Sequence, residues 1–224
     1  DNTDIWSFRI RAVDHFDNTG PWSNITSNLL PGHSPPDTML EFSNLELDII
    51  SLEQDESEIN YQIDTTVLMP GNSPTLLLYG NNWKFINIDS FVIDSNTVLQ
   101  VFCKIDSISE IQGIGFSDGI KSIKYALSGT ESLDIEDWIT VYQGQNNTGG
   151  WFPYNFPIGD DWIAWYDSLS NITQIYFIND NDDITNQKGS IYYSMIRDIT
   201  SDLSIAPIVD IEYTINNPSR MHLR

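Results

Sequence analysis

The chain has 224 residues, 40% of them hydrophobic and 12% aromatic, which is enough apolar material for a folded core and too much for a disordered segment. It carries 32 Asp and Glu against 10 Lys and Arg, and the resulting −22 charge repels phosphate backbones and excludes nucleic acid as a partner. No apolar run reaches the roughly 18 residues that a membrane span needs, so no membrane insertion is expected.

In chain order, the hydrophobic pattern has period two almost throughout, the signature of half-buried strands. Trp6, Phe8, Ile10 and Ala12 alternate with Ser7, Arg9, Arg11 and Val13. Residues 5–28 therefore read as two strands joined by a loop over 14–21. Leu30-Pro31-Gly32-His33-Ser34-Pro35-Pro36 comes next as a stiff linker, because each proline fixes φ and removes a donor. Further strands are expected over 59–69, 83–91, 97–105, 110–116 and 174–178. Turn clusters such as Pro70-Gly71-Asn72-Ser73-Pro74 and Gly80-Asn81-Asn82 separate them. No helix longer than about two turns is expected, and residues 132–138 are the best short candidate. A second break falls over 201–207. The expected divisions are 1–29, a linker at 30–37, a central module at 38–200 and a piece at 203–224. The fold class is all-β, with many short, evenly spaced strands building a β-sandwich.

Several residues carry candidate chemistry. Gly113 and Gly115 alternate with Ile114 and Phe116, leaving a bare backbone stripe on one strand face. Either close packing, a bulge or a ligand would account for that stripe. Leu99, Val101 and Cys103 share a face, so Cys103 reads as a small buried hydrophobe. Asn179, Asp180, Asp182 and Asp183 cluster in one turn; they form either a solvated Asx-rich turn or an oxygen-rich Ca2+ site. Asp160 and Asp161 mark another acidic turn. Trp138, Trp151, Tyr154 and Trp162 crowd together with Asn147, and flat rings beside amides are what sugar C–H faces and hydroxyls require. Each ring is also a candidate for the core. Trp151, directly after Gly149-Gly150, is the best candidate for an exposed platform. Asn24, Asn146 and Asn171 head N-x-Thr sequons that permit surface glycosylation.

His15, His33 and His222 all lie outside 38–200, so the central module has no histidine for a Ser-His-Asp triad or a zinc site. No phosphate loop, dinucleotide fingerprint or nucleophile elbow is present. The chain is expected not to be an enzyme.

The ordered motifs Gly80-Asn81-Asn82-Trp83, Glu110-Ile111-Gln112-Gly113-Ile114-Gly115-Phe116, Leu127-Ser128-Gly129, Tyr154-Asn155-Phe156-Pro157 and Tyr176-Phe177-Ile178-Asn179-Asp180 are similar to a family of β-jelly-roll modules. These modules are appended to secreted polysaccharide-degrading enzymes, and the resemblance spans about 76–199. It implies a jelly-roll sandwich and a non-catalytic carbohydrate-binding role, with candidate binding residue Gln112 where the family usually carries His; if that position binds a ligand, Gln keeps hydrogen-bonding capacity and loses titration and metal affinity. Residues 5–14 and 20–23 resemble the last strands of a fibronectin type III domain, and 206–211 the opening of an Ig-like repeat. The expected protein is therefore multidomain and extracellular, either secreted or displayed on a cell surface. Its expected partners are a glycan and other modules of the same chain. The alternative reading is a structural or adhesive spacer, or a filament module that self-assembles.

Overall fold

The computed structural model describes residues 6–8, 11–13, 19–22, 26–28, 37–43, 47–52, 60–69, 73–131, 138–143, 147–182, 189–200, 213–217 and 220–223. At the N-terminal side, β1 (Trp6–Phe8) and β2 (Arg11–Val13) pair antiparallel with β4 (Thr26–Asn28) and β3 (Thr19–Trp22) respectively. The nested register, Trp6 opposite Asn28 and Arg11 opposite Trp22, is that of the expected hairpin. Because β3 begins at Thr19, its connecting loop is shorter than 14–21. At the other side, β17 (Tyr213–Asn217) and β18 (Arg220–Leu223) form a second antiparallel hairpin.

Between the hairpins lies a sandwich of two six-stranded sheets. Its strands are β5 (Asp37–Leu40), β6 (Ile49–Ser51), β7 (Tyr61–Met69), β8 (Ser73–Tyr79), β9 (Asn82–Phe91), β10 (Leu99–Ser107), β11 (Ile111–Ser117), β12 (Ser122–Ser128), β13 (Trp138–Ile139), β14 (Trp151–Phe156), β15 (Ile172–Asp180) and β16 (Ser190–Asp198). The first sheet runs β14-β10-β16-β8-β7, with β5 also paired to β16; the second runs β13-β12-β11-β15-β9-β6. Sequence neighbours β9 and β10, β14 and β15, and β15 and β16 lie in opposite sheets, so the chain crosses the core repeatedly. The all-β sandwich read from the sequence is the observed fold.

Period-two alternation builds the core. Leu99, Val101, Cys103 and Ile105 of β10 are at most 1% exposed and face Ile114, Phe116, Ile175 and Phe177 of the second sheet within one cluster. Each such side chain contributes about 1.5–3 kcal/mol on leaving water. Burial raises the Cys103 thiol well above its ordinary value and keeps it protonated.

The helix among the described residues, α1 (Ile158–Tyr166), is short, about two and a half turns, and it lies where no helix is expected from the sequence. Asp160 and Asp161, read as an acidic turn, sit in its first turn and complement the helix dipole. Asp167 ends it in the left-handed region at φ 56°, its N–H donating to the Ile163 carbonyl. Ile158 and Trp162, four residues apart, turn inward and close one end of the core. In the sequence this spacing is hidden inside an aromatic cluster. The other helix candidate, 132–138, lies outside the described residues except Trp138, which is in β13.

Gly159 seats α1 on the loop before β10. Its N–H donates to the Thr97 carbonyl, and a Cβ there would sit 1.9 Å from the Asp94 carbonyl oxygen. Gly159→Ala is expected to destabilise the sandwich by about 3 kcal/mol, read as a lower denaturation midpoint at unchanged m-value.

Candidate functional site

Each sheet has an outer face, and the two differ. On the second sheet the glycine stripe points outward and is already filled. A Cβ on Gly113 would meet Trp138 Cζ3 at 2.7 Å, and the Trp138 ring packs edge-on against Trp83 at 6.1 Å. Trp83, Trp138, Ile111, Ala126 and Ile178 form a small outer core of their own. Lys124 lies over the Trp138 ring at 5.9 Å. The stripe therefore answers to close packing, and the packing partner is an indole. Beside Gly115, Tyr176 stands edge-on to Phe85 at 6.1 Å.

Asp180 borders this outer core. Burial raises its carboxyl to about 6; the Trp83 indole N–H beside it pulls the other way but falls short of hydrogen-bond geometry. The negative charges of Asp182, Glu110 and Glu131 add to the rise. The folded state therefore holds this proton more tightly than an unfolded carboxyl near 3.9 would. Its contribution is favourable at low pH and is lost as the pH rises from about 4 through 6. Asp180→Asn is expected to raise the thermal midpoint above wild type at pH 7–8. The gap should narrow between pH 6 and 4 and close below 4.

The first sheet presents a different outer face. Antiparallel partners share a face, so register alone places side chains in rows. Trp151 of β14 stands opposite Lys104 of β10, Lys104 opposite Tyr192 of β16, Tyr192 opposite Leu77 of β8, and Leu77 opposite Gln62 of β7. One row thus crosses five strands, about 19 Å at the usual strand spacing. A parallel row carries Asn155, Gln100 and Arg197, with Gln100 Nε2 donating to Asn155 Oδ1 at 2.9 Å. Phe102 lies between the rows under the Arg197 guanidinium, 5.5 Å from its ring centroid. Lys104 Nζ sits 5.0 Å over the Tyr192 ring and 2.7 Å from Asp106. Gly149 and Gly150, ahead of Trp151, have open space where a side chain would stand. One wall is Asp64: burial alone would raise it, but hydrogen bonds from Val67 and Thr66 outweigh that and hold its carboxyl below the ordinary range.

The candidate residues divide accordingly. Trp151 is half-buried in the open row, and Asn147 is half-buried in the loop leading to it. Trp162 is fully buried against Tyr166, Tyr154 is 2% exposed against Tyr142, and Trp138 is closed over by Trp83. As stacking platforms these three are corrected, since a ring with both faces covered offers none to a sugar.

Gln112 and Asn179 are also corrected: both are fully buried. Gln112 Nε2 donates to the Ser107 carbonyl and to Asn179 Oδ1, each at 2.9 Å. Asn179 Nδ2 donates to the carbonyls of Gly80 at 2.6 Å and Gly189 at 3.1 Å. Asn179 is spent inside the fold and cannot ligate Ca2+ from the turn. Asp180 turns to the outer face, Asp182 is exposed, and Asp183 lies outside the described residues. Among the described residues no three His, Cys, Asp or Glu side chains gather around one ion position. Asn171 is exposed, its amide donating to Ser90 Oγ at 3.0 Å; Asn24 and Asn146 lie outside the described residues.

Lys104, Tyr192, Leu77, Gln62, Phe102 and Arg197 were not singled out in the sequence. The signal was present for β10, where inward Leu99, Val101 and Cys103 force Gln100, Phe102 and Lys104 outward.

Gln112→Ala, which removes the buried amide donor shared by the Ser107 carbonyl and Asn179 Oδ1, is expected to cost about 1–3 kcal/mol in chemical denaturation. It should not alter any surface-binding activity of the folded protein.

No family model matches the chain, and no curated protein matches it. Among solved structures it is similar to a chain from work on carbohydrate-binding modules of the β-sandwich superfamily. That likeness has 12% identity and a TM-score of 0.42, over 88% of this chain and 74% of that one. A mutant of a family 29 carbohydrate-binding module gives 8% identity and 0.39, over 78% and 99% respectively. The protein SGBP-B from a xyloglucan utilization locus of Bacteroides uniformis gives 9% and 0.38, over 87% and 65%. No helix among the described residues is long and apolar enough to cross a membrane.

Proposed function

We propose that residues 37–200 form a non-catalytic carbohydrate-binding module that seats a polysaccharide strand on the outer face of the first sheet. The observation that carries this reading is the register-aligned row of Trp151, Lys104, Tyr192, Leu77 and Gln62 across five strands. A polysaccharide is a linear array of apolar C–H faces and hydroxyls; Trp151 offers it a ring, and alkyl groups, amides and cations lie along the row, with Tyr192 only 9% exposed beneath Lys104. Trp151 supplies the ring to stack on, approached over Gly149 and Gly150; Gln62, Gln100, Asn155 and Lys104 supply hydroxyl partners.

Nothing in this row performs chemistry. Its carboxylates are Asp106, ion-paired with Lys104, and Asp64, held ionised by hydrogen bonds from its own turn, so each is already committed within the face. A shallow face of this kind gives modest affinity, which repetition along a longer protein multiplies. Such a module belongs to an extracellular protein, secreted or held at a cell surface, with other modules on either side. The hairpins at 6–28 and 213–223 support that arrangement.

Affinity electrophoresis in soluble polysaccharide gels tests the reading. Retardation by at least one polysaccharide is expected, with Trp151→Ala and Gln62→Ala each weakening it about tenfold or more and leaving the denaturation midpoint within about 0.5 kcal/mol of wild type. If no polysaccharide retards the folded protein, the binding role is lost and the spacer reading, supported by the flanking hairpins and the −22 charge, replaces it.

A further inference from the structure

Asn171, Ile172 and Thr173 form an N-x-Thr sequon where the loop after α1 enters β15. Asn171 is exposed, whereas Ile172 beside it is fully buried. Its side-chain nitrogen donates to Ser90 Oγ at 3.0 Å, which uses one of the two amide protons and leaves the other open to substitution.

The surface around this asparagine is apolar. Val92 is 71% exposed, Ile120 93%, Ile163 36%, Trp165 40% and Leu169 42%. The five lie on segments tied to one another through the sequon. The bond from Asn171 to Ser90 joins the loop that holds Leu169 to the end of β9 beside Val92. Ser170, between Leu169 and Asn171, hydrogen-bonds Asp118, whose carboxylate also accepts the Ile120 N–H at 2.8 Å. Lys121 lies over the Tyr166 ring at 4.8 Å, and the Tyr166 hydroxyl donates to the Ser122 carbonyl at 2.7 Å, holding the last turn of α1 against the same segment. A contiguous exposed apolar patch marks a contact site or an aggregation hazard, and either calls for a cover.

We propose that Asn171 carries an N-linked glycan whose first sugars lie over this apolar end. The inference rests on the extracellular placement argued above, since the sugar donor is met on the way out of the cell. In the transfer, Asn171 Nδ2 attacks C1 of a sugar held on a lipid-linked pyrophosphate. The Nδ2–C1 bond forms, the C1–O bond breaks with its electron pair leaving on the pyrophosphate, and the amide proton passes to a base of the transferase. The linked amide keeps one N–H, which still donates to Ser90 and holds the first sugar between Leu169 and Val92. In the fold Ile172 pairs with Phe91 and Thr173 Oγ1 donates to the Ser117 carbonyl at 3.5 Å, so the transfer belongs before β15 closes.

Three arguments select this occupant. Sugar C–H faces pack on alkyl groups and a flat ring, here Leu169, Val92 and Trp165. A tethered sugar meets the patch at millimolar effective concentration, so a small contact suffices. A second copy of the chain would bring another −22 charge and the full entropy cost of association.

Peptide mapping of the protein from the cells that make it tests this. Cleavage before Asp167 and Asp180 releases residues 167–179, which hold Asn171 and no other sequon. The expected fragment spectrum places a sugar mass on Asn171, and Asn171→Gln and Thr173→Ala, expressed in the same cells, each remove it. In hydroxyl-radical footprinting, the glycosylated protein is expected to lose labelling at Val92, Trp165 and Leu169 relative to both variants. Tyr79, exposed at the other end of the sandwich ahead of β9, keeps its labelling. Recovery of residues 167–179 only in unmodified form overturns the proposal. Found so in the medium or on the cell surface, it leaves the extracellular reading standing; found so inside the cell, it sinks that reading too. A glycan on Asn171 that leaves labelling of the patch unchanged also overturns the proposal. So does protection of Trp165 that appears only as protein concentration rises, with a dimer in sedimentation, since that assigns the patch to a second copy.

Discussion

The amide pair Gln112–Asn179 is the constraint on which the sandwich depends. Two fully buried side chains tie the second sheet to the Ser107 carbonyl at the end of β10, the Gly80 turn before β9 and the Gly189 carbonyl before β16. Backbone groups at these crossovers sit in an apolar interior, where each hydrogen bond that an amide supplies is worth about 1 kcal/mol or more. An amide suits this duty because it offers both donors and acceptor and carries no proton to lose. A buried imidazole at position 112 would instead couple the joint to pH. Once these side chains are committed inside, neither remains for a metal or a ligand, and function moves to the faces outside the sheets.

Those faces have been given opposite fates by small differences in side-chain size. On the second sheet, the lack of a side chain at Gly113 lets Trp138 lie across β11 and meet Trp83, producing an outer core that excludes solvent. On the first sheet the corresponding centre is Lys104, over the Tyr192 ring, and Phe102, under the Arg197 guanidinium. Cations govern how rings are covered. Among the described side chains, every lysine and arginine sits over an aromatic ring: Lys84 over Tyr61, Lys104 over Tyr192, Lys121 over Tyr166, Lys124 over Trp138 and Arg197 over Phe102. Trp151 is without such a cover among the described side chains.

The strands were legible because their chemistry is local. Alternation over 97–105 announces both the inward Leu99–Val101–Cys103 face and the outward Gln100–Phe102–Lys104 face of β10. The helix was illegible for a reason equally local: Ile158, Trp162 and Tyr166 repeat at four, but they stand among Tyr154, Trp151 and Trp165, and the period drowns in the aromatic density. The division of tryptophans into core and surface depends on partners far away in the chain, such as Gly113 for Trp138 and the sheet ends for Trp162, and no window of sequence holds both. Asn179 misled in the same way, since an Asn-Asp run looks alike whether its first amide points into a turn or into the core.

The open row on the first sheet, the surface proposed to bind, differs in charge from the chain around it. Lys104 and Arg197 are balanced there by Asp106 and Asp64, so the face is close to neutral while the chain as a whole carries −22. A neutral, ring-bearing strip on a strongly negative body favours partners recognised by stacking and hydrogen bonding, and it discourages polyanions, whose approach the surrounding field opposes. Recognition by such a strip should survive high ionic strength, because little of it rests on net attraction. Salt also relieves the body's self-repulsion, so conditions that weaken charge-driven binding favour stability here and leave recognition by a neutral strip little changed.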